Sequence, residues 1–328
     1  MADKESNAVF KTKRTHGTND VAEKILLNRN EVFADVVNGC LFDGRRAIKA
    51  RMLENAQPES AFTEDGSIHS EYRDVSKFLN LNGKTFRIML IGIENQSHPD
   101  RWMAARTLCY DAAGYIEQFS QGARLYPVVT IVLYYGKEKW NYPQNLLGEL
   151  DLKNVPCEIK DRINDYQMRA FFDIGHMPIA ELRRRFKSAF YFVAEYFSQI
   201  NRGEEAHPSQ NKVTIKDARL VLRMLKAMSG GDPAFEEVIN SIAKKNENEV
   251  ETMDSILTPY YQHKLDNAVK VAVKKNSQEV KKKETITYAK NVMKSLNLPA
   301  EKALELLGVP EADRPKYLQL LQAEKAHK

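Results

Sequence analysis

Two nearly unbroken apolar runs, RIMLIGIE at residues 87–94 and VVTIVLYY at residues 128–135, limit the possible folds more than any other feature of this chain. Runs of this length are strands apolar on both sides, and such strands need cover on both faces. Between them, Ser97 and Pro99 form a helix-start pair, and an amphipathic pattern continues to about Phe119, with Met103, Leu108, Ile116 and Phe119 as predicted core positions. A strand, a helix and a strand in that order imply a right-handed crossover in a mixed sheet. Upstream, YRDVSKFLNL and KTFRIMLIGIE flank Asn82-Gly83, the strongest short hairpin signal a sequence offers. The expected class is α/β, with helices flanking a mixed sheet.

The surrounding segments read as follows. Residues 20–42 carry a helical repeat at Val21, Ile25, Val32, Val36 and Val37, interrupted from Asn28 to Asn30. Residues 44–70 look irregular, with SAFTEDGSIHSE as a surface loop, and KEKWNYPQNL as an exit loop. CEIKDRI suggests a further strand, and 178–200 a helix lined by Phe186, Phe190, Val193 and Phe197. After Gly203 only helical patterns are predicted: 214–229, 233–246, a lysine-dense 249–293, then three short helices broken at Asn297–Pro299 and Gly308–Pro310. At 328 residues the chain exceeds what one core usually serves. The expected division is a tail at 1–18, an α/β domain at 19–202, a helical region at 203–248, and a basic long helix with a helical hairpin at 249–328.

Composition excludes more than it assigns. No run of about 18 apolar residues exists, and the N-terminus lacks the apolar stretch of a secretory signal, so membrane and export readings are set aside. Three widely spaced cysteines fit reduced thiols and a cytoplasmic setting. A net charge of +5 is compatible with a polyanionic partner without requiring one.

The chemistry concentrates where the first apolar run ends. Glu94 and Gln96 are two apart, so their side chains leave the strand on one face, and Asp74 lies one strand earlier. Two carboxylates converging at a sheet edge form a hard oxygen site suited to Mg²⁺ or Mn²⁺, ions that polarise phosphodiesters and activate water.

The blocks YRDV, GIENQS, R-x-x-x-Y at Arg106–Tyr110 and PVVTIVLYYG, with FADVVN and LFDG upstream, resemble the Rpn-type recombination-promoting nuclease and transposase family, a branch of the PD-(D/E)XK nuclease superfamily. The resemblance spans about residues 20–200. It implies a restriction-endonuclease-like core and a Mg²⁺-dependent DNA endonuclease linked to recombination or transposition. Asp74 and Glu94 would bind the metal with the backbone carbonyl of Asn95, and Gln96 would occupy the lysine position. A neutral amide supplies neither charge nor a useful base, though it can orient water. An acid on the opening helix, Asp35 in preference to Glu31, could add a water-mediated metal contact.

Other residues have two readings. Arg106 and Tyr110, an i, i+4 pair, either face the scissile phosphate or snorkel and pack. His98 fits a solvated helix start better than a proton carrier, and Trp140 fits packing. The run Lys270, Lys274, Lys275, Lys281, Lys282 and Lys283 either tracks phosphates or is simply solvated, and residues 291–321 suit a helix-turn-helix or a dimerisation module equally. Duplex breaks need two active sites, which a homodimer would supply. The alternative to an enzyme is a catalytically inactive DNA-binding or assembly protein with the same fold.

Strand parity makes this site checkable. A regular two-residue loop at Asn82-Gly83 would place Asp74 opposite Ile91 and leave Asp74 and Glu94 on opposite faces. A shared cation requires an odd-length loop or a bulge.

Overall fold

The computed structural model describes residues 24–56, 59–64, 67–72, 74–80, 87–122, 124–203 and 209–326. The predicted tail and the Asn82-Gly83 loop lie outside the described residues. The chain divides into two compact units, residues 1–260 and 261–328.

In the first unit, a short helical turn ends at Asn28 and α1 (Asn30–Leu41) follows. Next come β1 (Leu53–Asn55), β2 (Glu59–Glu64), β3 (Ser67–Tyr72), β4 (Val75–Asn80) and β5 (Arg87–Gln96). Helix α2 (Met103–Ser120) leads to β6 (Val128–Tyr134) and then β7 (Phe171–Asp173). Helices α3 (Ile179–Arg185) and α4 (Phe190–Asn201) complete the α/β part. The five-stranded sheet has the order β1-β4-β5-β6-β7, antiparallel up to β5 and parallel from β5 to β7. A crossover through α2 between the parallel strands β5 and β6 is therefore present in a mixed sheet.

Alternation along β5 and β6 assigns the helices to layers. Ile91, Ile93, Ile131 and Leu133 are at most 1% exposed; burying an aliphatic side chain this completely contributes about 1.5–3 kcal/mol. On their face, Tyr135 packs on Phe190 and Phe197 of α4, and the Lys77 ammonium lies over the Phe33 ring of α1. On the other face, Met103 and Tyr110 of α2 pack with Val132, and a Cβ on Gly114 would stand only 3.1–3.2 Å from Leu90 and Val128. Glycine at 114 lets α2 lie close to the sheet.

Several expectations change. The core stripe of α2 runs through Met103, Thr107, Tyr110 and Gly114, whereas Ile116 and Phe119 are 40% and 61% exposed. The small residues Ala113 and Gly114 are the contact surface, which a count of large apolar residues misses. Residues 59–72, read as loop, pair as an antiparallel hairpin from Glu59↔Tyr72 to Glu64↔Ser67. CEIKDRI contains a helical turn at Cys157–Lys160, not a strand, because Pro156 opens it and its carbonyl accepts from Ile159 and Lys160. The helix expected over 178–200 breaks between Arg185 and Phe190, yet Phe186, Phe190, Val193 and Phe197 are all buried as expected.

The unit closes with β8 (Lys212–Thr214), α5 (Ile215–Met228), α6 (Pro233–Ser241) and β9 (Val250–Thr252). The β8–β9 pair lies in a region expected to be purely helical. Thr214 and Asp232 cap α5 and α6 through Asp217 N–H and Ala234 N–H.

Helix α7 (Met253–Leu296) begins in the first unit and continues into the second, followed by α8 (Ala300–Leu306) and α9 (Arg314–Ala326). The second unit's small core joins Ile286 and Ala289 of α7 to Leu304, Val309 and Leu321. Lys270, Lys274, Lys275, Lys281 and Lys283 are exposed. Among the described residues, no helix is long and apolar enough to cross a membrane.

Candidate active site at the end of strand β5

The β4–β5 register satisfies the parity condition. Val75 pairs with Ile93 and Leu79 with Met89, but Asn80 pairs with Arg87, so Ile88 is an extra residue on β5. This bulge shifts the pairing by one. Extending the Val75↔Ile93 register by one step would set Asp74, which immediately precedes β4, opposite Glu94.

Both acids are buried, Asp74 at 6% exposed and Glu94 at 0%. A buried carboxylate needs hydrogen bonds or an opposite charge, and each has them. Asp74 Oδ2 accepts from the Asn95 N–H at 2.7 Å and from Asn95 Nδ2 at 3.2 Å. The Asn95 amide is held in turn, because Tyr135 OH donates to its Oδ1 at 3.2 Å. Glu94 Oε1 accepts from Gln96 Nε2 at 3.1 Å, Arg106 Nη2 at 2.5 Å and Tyr110 OH at 3.3 Å. Arg106 also donates to Asp100 Oδ2 at 2.7 Å and to Tyr110 OH at 2.9 Å. Burial works against the Arg106 charge, but Glu94, Tyr110 and Asp100 outweigh it and raise its pKa above the usual arginine value.

The predicted residues thus lie at one end of β5 in two hydrogen-bonded groups, Asp74 with Asn95, and Glu94 with Gln96, Arg106 and Tyr110 beneath α2. Arg106 does not snorkel as its second reading had it: its guanidinium turns inward to ion pairs with Glu94 and Asp100. Its neighbour Tyr110 is 3% exposed.

Asp35 does not join this group. Its Oδ2 accepts from the Lys187 and Ser188 N–H groups, each at 2.8 Å, and so fixes the turn that enters α4. Helix α1 packs on the sheet face opposite Glu94, which accounts for the separation. Glu31, the other acid considered on α1, acts on the Lys77 charge. His98 bonds to its neighbour Ser97, and Trp140 packs edge-on to Tyr134 and against Phe171.

Sequence reasoning missed the side chain of Asn95 and the hydroxyl of Tyr135. Both lie on the α4 face of the sheet, and the signal available was the alternation that puts Asn95 and Tyr135 on the same side. Lys77 lies on the opposite face of the sheet from Glu94. It is 0% exposed and donates to Asn28 O at 2.8 Å, to Asn28 Oδ1 at 3.1 Å and to Asn55 Oδ1.

Were a cation held here, the donors on offer would be two carboxylates and the main-chain carbonyl of Asn95. All are hard oxygen ligands, the chemistry of Mg²⁺ or Mn²⁺ rather than of softer metals. Among the described residues, no three His, Cys, Asp or Glu side chains cluster as metal ligands, so water would complete the coordination.

A mixed sheet covered by helices on both faces, with two buried acids where a central strand ends, defines the class as α/β with buried carboxylates at the end of β5. The chain belongs to the family described as "Putative transposase, YhgA-like", which matches residues 51–214. That stretch contains the five-stranded sheet and Asp74 to Tyr110, and it starts after α1. Neither the curated proteins nor the solved structures yield a match.

Proposed function

We propose that this member of a transposase family is a divalent-cation-dependent DNA endonuclease acting through Asp74, Glu94 and Gln96. The observation that supports the reading is the Ile88 bulge, which gives the β4–β5 register the parity that a continuation to Asp74 would need to bring it to the Glu94 side, where a regular hairpin would separate them. A cation of the Mg²⁺ class held by Asp74, Glu94 and the Asn95 carbonyl would supply Lewis-acid polarisation of the phosphodiester and acidify a nucleophilic water.

The chain's own groups have separable tasks. Asn95 orients Asp74 through two hydrogen bonds, and Tyr135 orients Asn95. Gln96 donates to Glu94 through Nε2, and its amide carbonyl can accept from a water without removing its proton. The positive charge that Gln96 lacks is provided by Arg106, whose guanidinium reaches the same oxygen of Glu94 from α2. A planar guanidinium suits a phosphate oxygen as well as a carboxylate, so Arg106 can exchange one for the other when DNA arrives. Asp35 stays outside the cation set.

The test incubates supercoiled plasmid with the wild-type protein, Asp74→Ala or Glu94→Gln in Mg²⁺, with Mn²⁺ binding followed separately by its paramagnetic signal. Each variant should lose Mn²⁺ affinity and slow nicking by more than about 100-fold, beyond the effect of removing an outer-sphere partner. Equal nicking by wild type and Asp74→Ala would overturn the reading. A wild type that binds DNA but neither Mn²⁺ nor Mg²⁺ would favour the non-catalytic alternative.

A further inference from the structure

Two short segments of the first unit are strongly basic although that unit as a whole is not. Residues 42–51 and 179–188 together carry eight cationic side chains, Arg45, Arg46, Lys49, Arg51, Arg183, Arg184, Arg185 and Lys187, against Asp43 and Glu181 alone. The second unit, residues 261–328, carries 14 Lys and Arg against 8 Asp and Glu, so with a whole-chain net charge of +5 the rest of the first unit is acidic and these two segments stand out within it.

The fold joins these two segments. After α1 the backbone passes through two left-handed residues, Asp43 at φ 56° and Gly44 at φ 85°. Glycine is required at 44, because a Cβ there would stand 2.8 Å from Arg184 O. The turn directs Asp43 onto α3, where its carboxylate accepts from Arg184 Nη1 at 2.5 Å and Nη2 at 2.9 Å and pairs with Arg185 at 2.8 Å. These arginines, the Arg184 bonds first among them, hold the Asp43 carboxyl below the usual carboxylate range. Arg185 also donates to Gly39 O at 2.8 Å, and Asn38 clamps Ile48 N and O at 2.8 Å each. The loop is therefore pinned at both ends, with Arg45, Arg46, Lys49, Arg51, Arg183 and Arg184 all exposed.

Two carboxylates, Asp43 and Glu181, pair with Arg184 and Arg185 and leave the other six cationic side chains of these segments without a carboxylate from the same two segments, and gathering like charges on a fixed surface is unfavourable without an anionic partner. We propose that this face is a docking surface for the phosphate backbone of duplex DNA, engaged without base recognition. Exposed guanidinium groups on a rigid loop suit repeated phosphates, which accept bidentate bonds and give binding that weakens steeply with salt. The proposal rests on DNA being the substrate and adds a contact surface separate from the acidic centre.

The experiment measures binding of the full chain to a fluorescent 30-bp duplex in EDTA, over a salt series. A fourfold variant, Arg45→Gln, Arg46→Gln, Lys49→Gln and Arg51→Gln, is compared with a variant carrying glutamine at Lys270, Lys274, Lys275 and Lys281 of α7, which removes equal charge elsewhere. At ~0.9 per phosphate contact, the first should lower the slope of log Kd against log salt by about 3–4 and the second by much less. If the fourfold variant does not fold, Arg45→Gln with Arg46→Gln should still lower it by about 2. Unchanged binding, or an equal effect from the α7 variant, would overturn the proposal. So would loss of binding to phosphatidylserine vesicles with DNA binding intact, which would assign the face to an anionic membrane. Cleavage separates the two readings: nicking by wild type with unaltered binding in the variants defeats the surface alone, whereas cation-independent binding without nicking defeats the nuclease alone.

Discussion

Replacing Arg106 with Met should expose how Glu94 tolerates burial. Glu94 is 0% exposed and the Arg106 side chain 26% exposed, so the variant leaves a buried carboxylate without its arginine while Gln96 and Tyr110 still donate to it. Removing one partner of a buried pair typically costs about 3–5 kcal/mol, and the partial exposure of Arg106 places this case near ~3 kcal/mol. For a unit of this size, ~2 °C accompanies each kcal/mol, so the midpoint should fall by about 6 °C. Both tryptophans, Trp102 and Trp140, lie in the first unit, so their fluorescence in urea or heat reports its unfolding. Adding Glu94→Gln to Arg106→Met removes the stranded charge and should restore all but about 1 kcal/mol. In the single variant, Mg²⁺ should recover more stability than it adds to wild type, because binding to the folded state alone shifts the equilibrium by mass action. A loss below about 0.5 kcal/mol, or no recovery in the double variant, would refute the view that Arg106 neutralises Glu94.

Three further outcomes are expected. Burial depresses the Lys77 pKa to about 8, against the upward pull of Glu31, so between pH 8 and 10.5 the unfolded chain binds the extra proton and stability rises with pH. Relative to Lys77→Met, wild type should gain up to about 3 kcal/mol across that window in urea titrations, and parallel profiles would refute the assignment. Asp35→Ala removes two backbone caps and should cost about 1–2 kcal/mol, while the nicking rate per folded molecule stays within about twofold; a large loss of Mn²⁺ affinity would return Asp35 to the metal site. Tyr135→Phe keeps the ring between Phe190 and Phe197 but frees the Asn95 amide, so Mn²⁺ affinity should weaken by about tenfold with little change in melting, and unaltered affinity would count against the Tyr135–Asn95–Asp74 chain.

The sheet was legible because its strands are apolar on both sides, and the parity of the β4–β5 pair could be reasoned from Asp74 and Glu94 before any coordinates. Side-chain partners were less legible. Arg106 was weighed as a phosphate ligand because sequence shows that Tyr110 is four residues on, but not that Glu94 lies against both. Asp35 was drawn to the site by its place in the opening helix, whereas sequence cannot state which face of the sheet that helix covers. The hairpin at residues 59–72 was hidden because its strands are polar, and period-two burial is the signal by which a strand is recognised. The inward face of α2 was misjudged because close approach selects Ala113 and Gly114 rather than large side chains.

The single supernumerary residue Ile88 acts as a phase-setter for the outer half of β5. Without it, Ile91 and Ile93 would turn toward the guanidinium of α2, and Glu94 would be driven in among the aromatic rings of α4. Because the offset is absorbed inside the strand pair, the connecting segment at residues 81–86 can drift in length while the acids keep their side. A chain that lost the offset would forfeit its interior packing along with its chemistry, so the two are inherited together.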